Sequence, residues 1–287
     1  MISLSGVTKA FQRRTVLDDI FLSVEKGERV ALVGSNGAGK TTLIRCLLGE
    51  YTFEGSIAVG GLDPRKHRGA VLGRVGFVPQ IPPPLKMPVG ELVSFAAALC
   101  GTKPQRMIGI AEDLGLDYAK IQRLPFVRLS GGMKQKMLIS IAFGRDADIL
   151  IMDEPAANLD PQARHIFFRQ LAERKERSVM LITSHRLDEV ASLVNRVIEM
   201  DQGKIALDDR VADDIDLTGV WRCEIDLVRP EPAFAKVMEE WLFLPSADGA
   251  SWSGQVNGPD RLRFLSVLTR YAGLVGSMKM SEDRGGR

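Results

Sequence analysis

Apolar and polar positions along the chain switch between two periods, and each switch marks an element. Short apolar runs at Ile2 to Leu4, Phe21 to Val24 and Val30 to Val33 read as strands. Leu43, Ile44, Leu47 and Leu48 recur at i, i+1, i+4 and i+5, which predicts one buried face of a helix just after the third strand. A β-rich stretch follows through Ile57 to Val59 and Val75 to Val78. The segment Ile81-Pro82-Pro83-Pro84-Leu85-Lys86-Met87-Pro88 can neither continue a strand nor enter a helix early, so it predicts a hinge. Beyond it, Leu92, Val93, Ala96 and Cys100, then Met107, Ile108, Ala111 and Leu114, give two helical stripes. Met133, Met137, Leu138 and Ile141 give another, behind Ser130 as a helix N-cap. The runs Ile149 to Met152 and Val179 to Ile182 predict strands buried on both faces. Asp160-Pro161 supplies an N-cap followed by proline at the first helical position, and Leu187, Val190, Ala191 and Val194 give a further stripe. Strands alternating with helices in this way predict an α/β fold with a largely parallel sheet and helices on both faces.

The pattern restarts near residue 218. Trp221, Cys223, Ile225 and Leu227 alternate with Arg222, Glu224 and Asp226, as in a half-buried strand. Phe234, Val237, Met238, Trp241 and Leu242 form a helical stripe, and a turn at Pro245 to Gly249 precedes Trp252 to Val256. Asn257-Gly258 precedes a second helix through Leu262, Leu265 and Leu268, and Leu274 to Met280 alternates again. Two β-α units with a hairpin between them resemble a small ferredoxin-like α+β module over 218–281, with 282–287 expected as a disordered tail.

The chemistry begins at Gly34-Ser35-Asn36-Gly37-Ala38-Gly39-Lys40-Thr41, which fits the phosphate-loop pattern GxxxxGK[ST] in full, between a predicted strand and a predicted helix. Glycines at 34, 37 and 39 permit a tight, partly left-handed path that turns successive amides inward, and the helix N-terminus adds partial positive charge. Lys40 is placed to bridge terminal phosphates and Thr41 to hold magnesium, with Thr42 completing the phosphate-binding run. The apolar run at Ile149 to Met152 ends in Asp153-Glu154, two acids at the carboxyl end of a buried strand, where Asp153 can orient magnesium and Glu154 a water.

Further motifs join these in a fixed order. Leu129-Ser130-Gly131-Gly132-Met133 resembles the LSGGQ signature of ATP-binding cassette (ABC) ATPases, with Met133 in place of the usual Gln. Gly76-Phe77-Val78-Pro79-Gln80 resembles the family's glutamine loop, Asn158-Leu159-Asp160 its D-loop, and Thr183-Ser184-His185 its switch histidine. Phe11, in Thr8-Lys9-Ala10-Phe11, falls where the family places an aromatic that stacks on adenine. The resemblance covers roughly residues 1 to 210. It implies a P-loop NTPase core over 1–215, with an antiparallel β subdomain and a helical subdomain at about 82–128. His67 and His165 match no family position and read as surface or helix-start histidines.

Composition narrows the setting. The chain has 287 residues, 45% of them apolar and 26% charged, enough for one large core and a small second domain. A net charge of +2, with acids and bases intermixed and no basic stretch interleaved with aromatics, gives no support to a nucleic-acid surface. Cys46, Cys100 and Cys223 are widely spaced and odd in number, which argues against a disulfide framework or zinc site and for a reducing compartment. No signal peptide is expected at Met1-Ile2-Ser3-Leu4, and Leu92 to Cys100 is far short of the roughly 18–20 apolar residues of a membrane span.

The resemblance implies the nucleotide-binding subunit of an ABC transporter, peripheral on the cytoplasmic face of the membrane. Such a subunit binds ATP and Mg²⁺ and pairs with a second ATPase subunit, a homodimer by expectation, on a separate integral membrane permease. In the family each ATP lies between the phosphate loop of one subunit and the signature of the other. Glu154 is then the general base or water-positioning residue, Lys40 and His185 stabilise the γ-phosphate, and Thr41, Gln80 and Asp153 organise magnesium. Ser130, Gly131 and Gly132 act in trans, and Asp160 belongs to the same nucleotide-binding set. The Met133 departure is expected to leave activity intact, because serine and backbone make the phosphate contacts. The C-terminal module points toward export, and its role stays open between a dimer-stabilising appendage and a regulatory sensor. The alternative is a soluble ABC ATPase acting on ribosomes or DNA, but a second motif set in the chain, or a long coiled coil splitting it, would mark that class and neither is present.

Overall fold

The computed structural model describes residues 1–12, 14–145, 147–174, 178–184, 193–210, 220–257 and 260–282. These form two compact units, one of residues up to 184 with 194–210, the other of 220–282.

In the first unit, β1 (Ile2–Phe11) and β2 (Arg14–Val24) form a hairpin, and β4 (Glu54–Val59) pairs with the other edge of β1, giving an antiparallel sheet of order β2-β1-β4. Both hairpin strands are longer than the apolar runs suggest, since the ladder continues to Phe11 opposite Arg14 through polar residues. The second sheet contains β3 (Arg29–Val33), β5 (Val75–Val78), β6 (Ile149–Asp153), β7 (Val179–Thr183), β8 (Arg196–Asp201) and β9 (Lys204–Arg210). Its order is β5-β6-β7-β3-β8-β9, parallel except for the β8-β9 hairpin. β6 and β7 are buried at every position, as unbroken apolar runs in a parallel sheet require.

The helix α1 (Lys40–Leu47) follows β3 and buries Leu43, Ile44 and Leu47. These join Ile2, Leu17, Ile20, Val30, Leu32, Ile57, Val59, Ile151, Leu181 and Ile198 in one core shared by both sheets. A short helix α2 (Arg68–Arg74), absent from the sequence reading, leads into β5. A separate helical core unites α3 (Val89–Leu99), α4 (Pro104–Asp113), the one-turn α5 (Tyr118–Ile121) and α6 (Gly131–Gly144) around Val93, Met107, Phe126 and Met137. In α4 the fully buried face is Met107, Ile110 and Ala111, and Ile108 is only partly covered. The helix α7 (Pro161–Ala172) opens on Asp160, whose carboxylate accepts from Ala163 N at 2.9 Å. The helix predicted through Leu187, Val190 and Ala191 lies outside the described residues.

The second unit runs β10 (Val220–Leu227), α8 (Pro232–Glu240), β11 (Leu244–Pro245), β12 (Ser251–Asn257), α9 (Arg261–Thr269) and β13 (Val275–Glu282). Its antiparallel sheet has the order β11-β12-β10-β13, a split β-α-β arrangement. Cys223, Ile225, Phe234, Met238, Trp252, Val256, Phe264 and Leu268 fill its core. Leu242, expected on the buried stripe of α8, is instead 86% exposed, because the helix ends at Glu240 and Leu242 adopts φ 61° in the following turn. The last strand extends to Glu282, the first residue of the expected tail, because Glu282 pairs with Trp221 of β10.

Candidate functional site

Parallel pairing decides which residues meet. β5, β6, β7 and β3 are neighbours running the same way, so their carboxyl ends open onto one edge of the sheet. The phosphate loop leaves β3 there, Gln80 follows β5, Asp153 and Glu154 end β6, and Thr183 ends β7. Register brings Asp153 opposite Thr183 and Leu32 opposite Thr183.

Backbone sterics hold the loop in its path. Gly34, Gly37 and Gly39 have φ of 145°, 85° and 108°. A Cβ on Gly34 would sit 2.3 Å from the Met200 carbonyl oxygen, and one on Gly39 would sit 2.9 Å from both Val16 O and the Leu17 side chain. Gly39 is the N-cap of α1 and no side chain caps that end, so the first amides of the helix stay available to an anion. Lys40 is 6% exposed and folds back to donate to the carbonyls of Gly34 and Ser35, the latter at 3.0 Å. Burial lowers its pKa, against the opposing charges of Glu154 and Asp153.

The acids sit one residue apart in different settings. Asp153 is 3% exposed and accepts from two hydroxyls, Thr41 Oγ1 at 3.1 Å and Thr183 Oγ1. Glu154 lies just past the strand at φ 51°, a left-handed conformation that costs a non-glycine residue roughly 1–3 kcal/mol. Its backbone N–H is held by Thr183, at 3.0 Å to Oγ1 and 3.3 Å to the carbonyl. Asn36, Gly37, Ala38, Gly39, Lys40, Thr41, Thr42, Gln80 and Glu154 line one cleft, together with Val16. A second cleft beside it is lined by Arg14, Thr15, Val16, Ser35, Asn36, Gly37, Ala38, Asp201 and Gln202.

The remaining predicted residues lie elsewhere. Phe11, at the tip of the β1-β2 hairpin, is 40% exposed, and its ring meets Tyr51 edge to face at 5.1 Å with Lys9 Nζ 4.8 Å from its centroid. It does not line either cleft. Ser130 caps α6, its Oγ accepting from Met133 N at 3.3 Å, and is exposed. Gly131 has open space at its Cβ position, whereas a Cβ on Gly132 would sit 2.9 Å from Asn158 O. Met133 packs partly buried against the helical core, which gives the departure from Gln a place in the structure. Asp160 pairs with Lys136 at 2.6 Å. His185, one residue beyond the buried Ser184, lies outside the described residues.

Several residues of the site were invisible to motif reading. Thr183 was noted only as a flank of the histidine, yet it joins Asp153 to the Glu154 backbone. Val16 faces both clefts from β2, and the Gln202-Gly203 turn supports the loop through Gly203 N to Ala38 O at 3.1 Å. The one available signal was the Asp201-Gln202-Gly203 turn, with Gly203 at φ 82° packed 2.5 Å, measured from its Cβ position, from Val16 O.

As a donor set, the Thr41 hydroxyl and an Asp153 carboxylate oxygen, 3.1 Å apart, suit a hard cation held by few protein ligands. No cluster of three or more His, Cys, Asp or Glu occurs among the described residues. The glycine cradle and the uncapped α1 N-terminus suit a polyphosphate. No helix among the described residues is long and apolar enough to cross a membrane.

Comparison with known proteins agrees. Residues 17–157 match the ABC transporter family. The Nod factor export ATP-binding protein I of Bradyrhizobium diazoefficiens is 32% identical over 287 residues, covering 92% of this chain and 91% of its own. The protein of that name from Burkholderia lata is 30% identical, covering 92% of each. A solved ATP-binding subunit of an ABC transporter superimposes with a TM-score of 0.69 at 25% identity, over 75% of this chain and 91% of that one. A dimeric bacterial ABC transporter cassette shares the fold at a TM-score of 0.66 and 21% identity, over 74% and 99%. With relatives matched across nearly their whole length, and with the phosphate loop, Gln80, Asp153 and Glu154 at one sheet edge, this chain belongs to the ABC transporter family as an ATP-binding ATPase subunit.

Proposed function

We propose that the protein works as a homodimer on the cytoplasmic face of the membrane, coupling ATP hydrolysis to export through a separate integral membrane permease. One observation supports this most. The cleft holds Lys40, Thr41, Gln80 and Glu154, while the capped N-terminus of α6 at Ser130 is exposed and lines no part of it. Each chain then presents half of two sites, and a second copy completes them. The export direction rests on the relatives, Nod factor export ATP-binding proteins matched over 92% of the chain.

In this reading Lys40, freed from the Gly34 and Ser35 carbonyls, bridges the terminal phosphates. Thr41 and Asp153 would hold Mg²⁺, with Gln80, which lines the same cleft, helping to organise it. Mg²⁺, when bound, neutralises charge on the phosphate oxygens. Glu154 accepts or orients the proton of the attacking water, and His185 is assigned to the γ-phosphate. Ser130, Gly131 and Gly132 meet the partner's ATP, and Phe11 is assigned to stack on the adenine of the ATP held by its own chain. Little covalent work falls to the protein, so positioning and electrostatics do the catalysis.

The permease is assigned to the helical subdomain, over residues 81–128. Ile81, Phe95 and Leu99 are 80%, 54% and 70% exposed there, an apolar surface suited to a cytoplasmic helix of the membrane subunit. The unit beyond residue 218 is an accessory domain. Phe95→Glu with Leu99→Glu should abolish co-purification of the permease from native membranes while nucleotide binding stays near normal. A permease that cross-links only to residues 218–287 would contradict this docking site.

A further inference from the structure

The segment after Glu154 is gripped from two helices by side chains that no motif names. Gln135, on α6, is 1% exposed and donates from Nε2 to the Pro155 carbonyl at 3.0 Å. Arg164, on α7, is 7% exposed and donates from Nη2 to the Ala156 carbonyl at 3.4 Å. Further along, Lys136 pairs with Asp160, and the backbone at Asn158 comes close enough to Gly132 that a Cβ there would meet Asn158 O. Burying a guanidinium and a carboxamide for single bonds to backbone carbonyls is costly, and core stability alone is better served by apolar side chains of similar size.

The backbone of Glu154 explains the expense. A non-glycine residue at φ 51° persists only where its surroundings over-determine it. On its amino side the Glu154 N–H is fixed by Thr183. On its carboxyl side the next two carbonyls are those held by Gln135 and Arg164.

We propose that Gln135 and Arg164 are positioning residues for hydrolysis: they fix the Pro155 and Ala156 carbonyls that follow Glu154 and thereby aim its carboxylate. Because Gln135 lies on the helix that begins at Ser130, the same contact ties the helix end that meets the partner's ATP to the acid that serves the chain's own. This rests on the assignment of Glu154 as the water-positioning acid.

The test uses the full-length protein and compares Gln135→Leu, Gln135→Glu, Arg164→Met and Arg164→Lys with Glu154→Gln. Gln135→Glu keeps the size and removes the donor to Pro155, so it serves where leucine disturbs folding. Expected are at least a tenfold loss of kcat in Gln135→Leu, Gln135→Glu and Arg164→Met, ATP affinity within about twofold of wild type, and partial recovery in Arg164→Lys. Added to Glu154→Gln, Gln135→Glu should cause no further loss of turnover, since both act through one carboxylate. Unchanged kcat in folded Gln135 and Arg164 variants, or losses that multiply with that of Glu154→Gln, would overturn the proposal. So would a fall in ATP affinity in step with kcat. Wild-type turnover in Glu154→Gln itself would instead overturn the assignment of Glu154.

Discussion

Two helices, α1 and α6, open on glycine-bearing motifs, and the two openings differ in their walls. At α1 the helix opens on Gly39 without a side-chain cap, behind a loop buttressed by Val16, Leu17 and Met200, with Lys40 buried beside it. At α6 the helix opens on Ser130, exposed to solvent, with nothing within 4 Å of the Cβ position of Gly131. The first is a cradle finished within the chain. The second is a tip that lacks an opposite wall. The difference teaches that local chemistry makes a phosphate site possible, and enclosure decides whether one chain can use it.

The sharpest way to break the comparison is to separate chemistry from assembly. Glu154→Gln keeps size and hydrogen bonding but removes the carboxylate, so hydrolysis should fall by about 10²-fold or more. ATP binding should survive, and light scattering should show a dimer in ATP and Mg²⁺ but not in ADP. Adding Ser130→Arg places bulk and charge at the open tip and should abolish that dimer. If the double variant dimerises as well as the single one, the tip is not half of a shared site.

At the cradle, Lys40→Ala removes a charge-assisted contact made in ground and transition states alike. ATP affinity should weaken by roughly 10–100-fold, on the scale of a lost hydrogen bond to a charged group. Titration calorimetry with wild-type affinity would refute the role given to Lys40.

The two helix starts should also differ in tolerance to a methyl group. Gly39→Ala forces a left-handed φ of 108° and a contact at 2.9 Å, and should cost about 1–3 kcal/mol in thermal or urea unfolding. Gly131→Ala meets open space and should stay within about 0.5 kcal/mol of wild type or gain slightly. Equal losses at both sites would erase the distinction between walled and open ends.

The smallest effect expected is a pH dependence confined to the cradle. Burial lowers the pKa of Lys40 below the ordinary 10.5, and phosphate binding needs the ammonium form. ATP affinity should therefore begin to fall below pH 10.5 as pH rises through the lowered value, and Lys40→Ala should lose that slope. The folded state also binds fewer protons at Lys40 than the unfolded chain in that window, so this group's contribution to stability grows with rising pH. A fall centred at the ordinary lysine value would contradict a buried Lys40.

Much of the site was legible because its chemistry is local. Glycines 34, 37 and 39, Lys40 and Thr41 lie within eight positions, and Asp153-Glu154 ends an apolar run, so spacing alone announced them. Thr183, Val16, Gly203, Gln135 and Arg164 were missed for a shared reason. Each acts on a group outside its own element, which periodicity within that element does not show, as Leu32 of β3 meets Thr183 of β7 across the sheet. Leu242 was misread because helical periodicity does not show where a helix stops. Phe11 was named by resemblance alone, its strand having been read only as Ile2 to Leu4, and its edge contact with Tyr51, just past the end of α1, was beyond any local pattern.

Sequence by itself determined the α/β class, the phosphate loop with its helix, the two acids and the capped signature helix, since each depends on periodicity, φ requirements or charge within about ten residues. Tertiary structure alone decided that four strand ends share one edge, that Asp153 takes both threonine hydroxyls, and that the backbone after Glu154 is gripped from α6 and α7. It alone left Ser130 outside the cleft. Those outcomes depend on parallel register and on burial against neighbouring elements, from Arg164 reaching Ala156 eight positions away to Thr41 meeting Asp153 across 112, and no periodicity within one element records them.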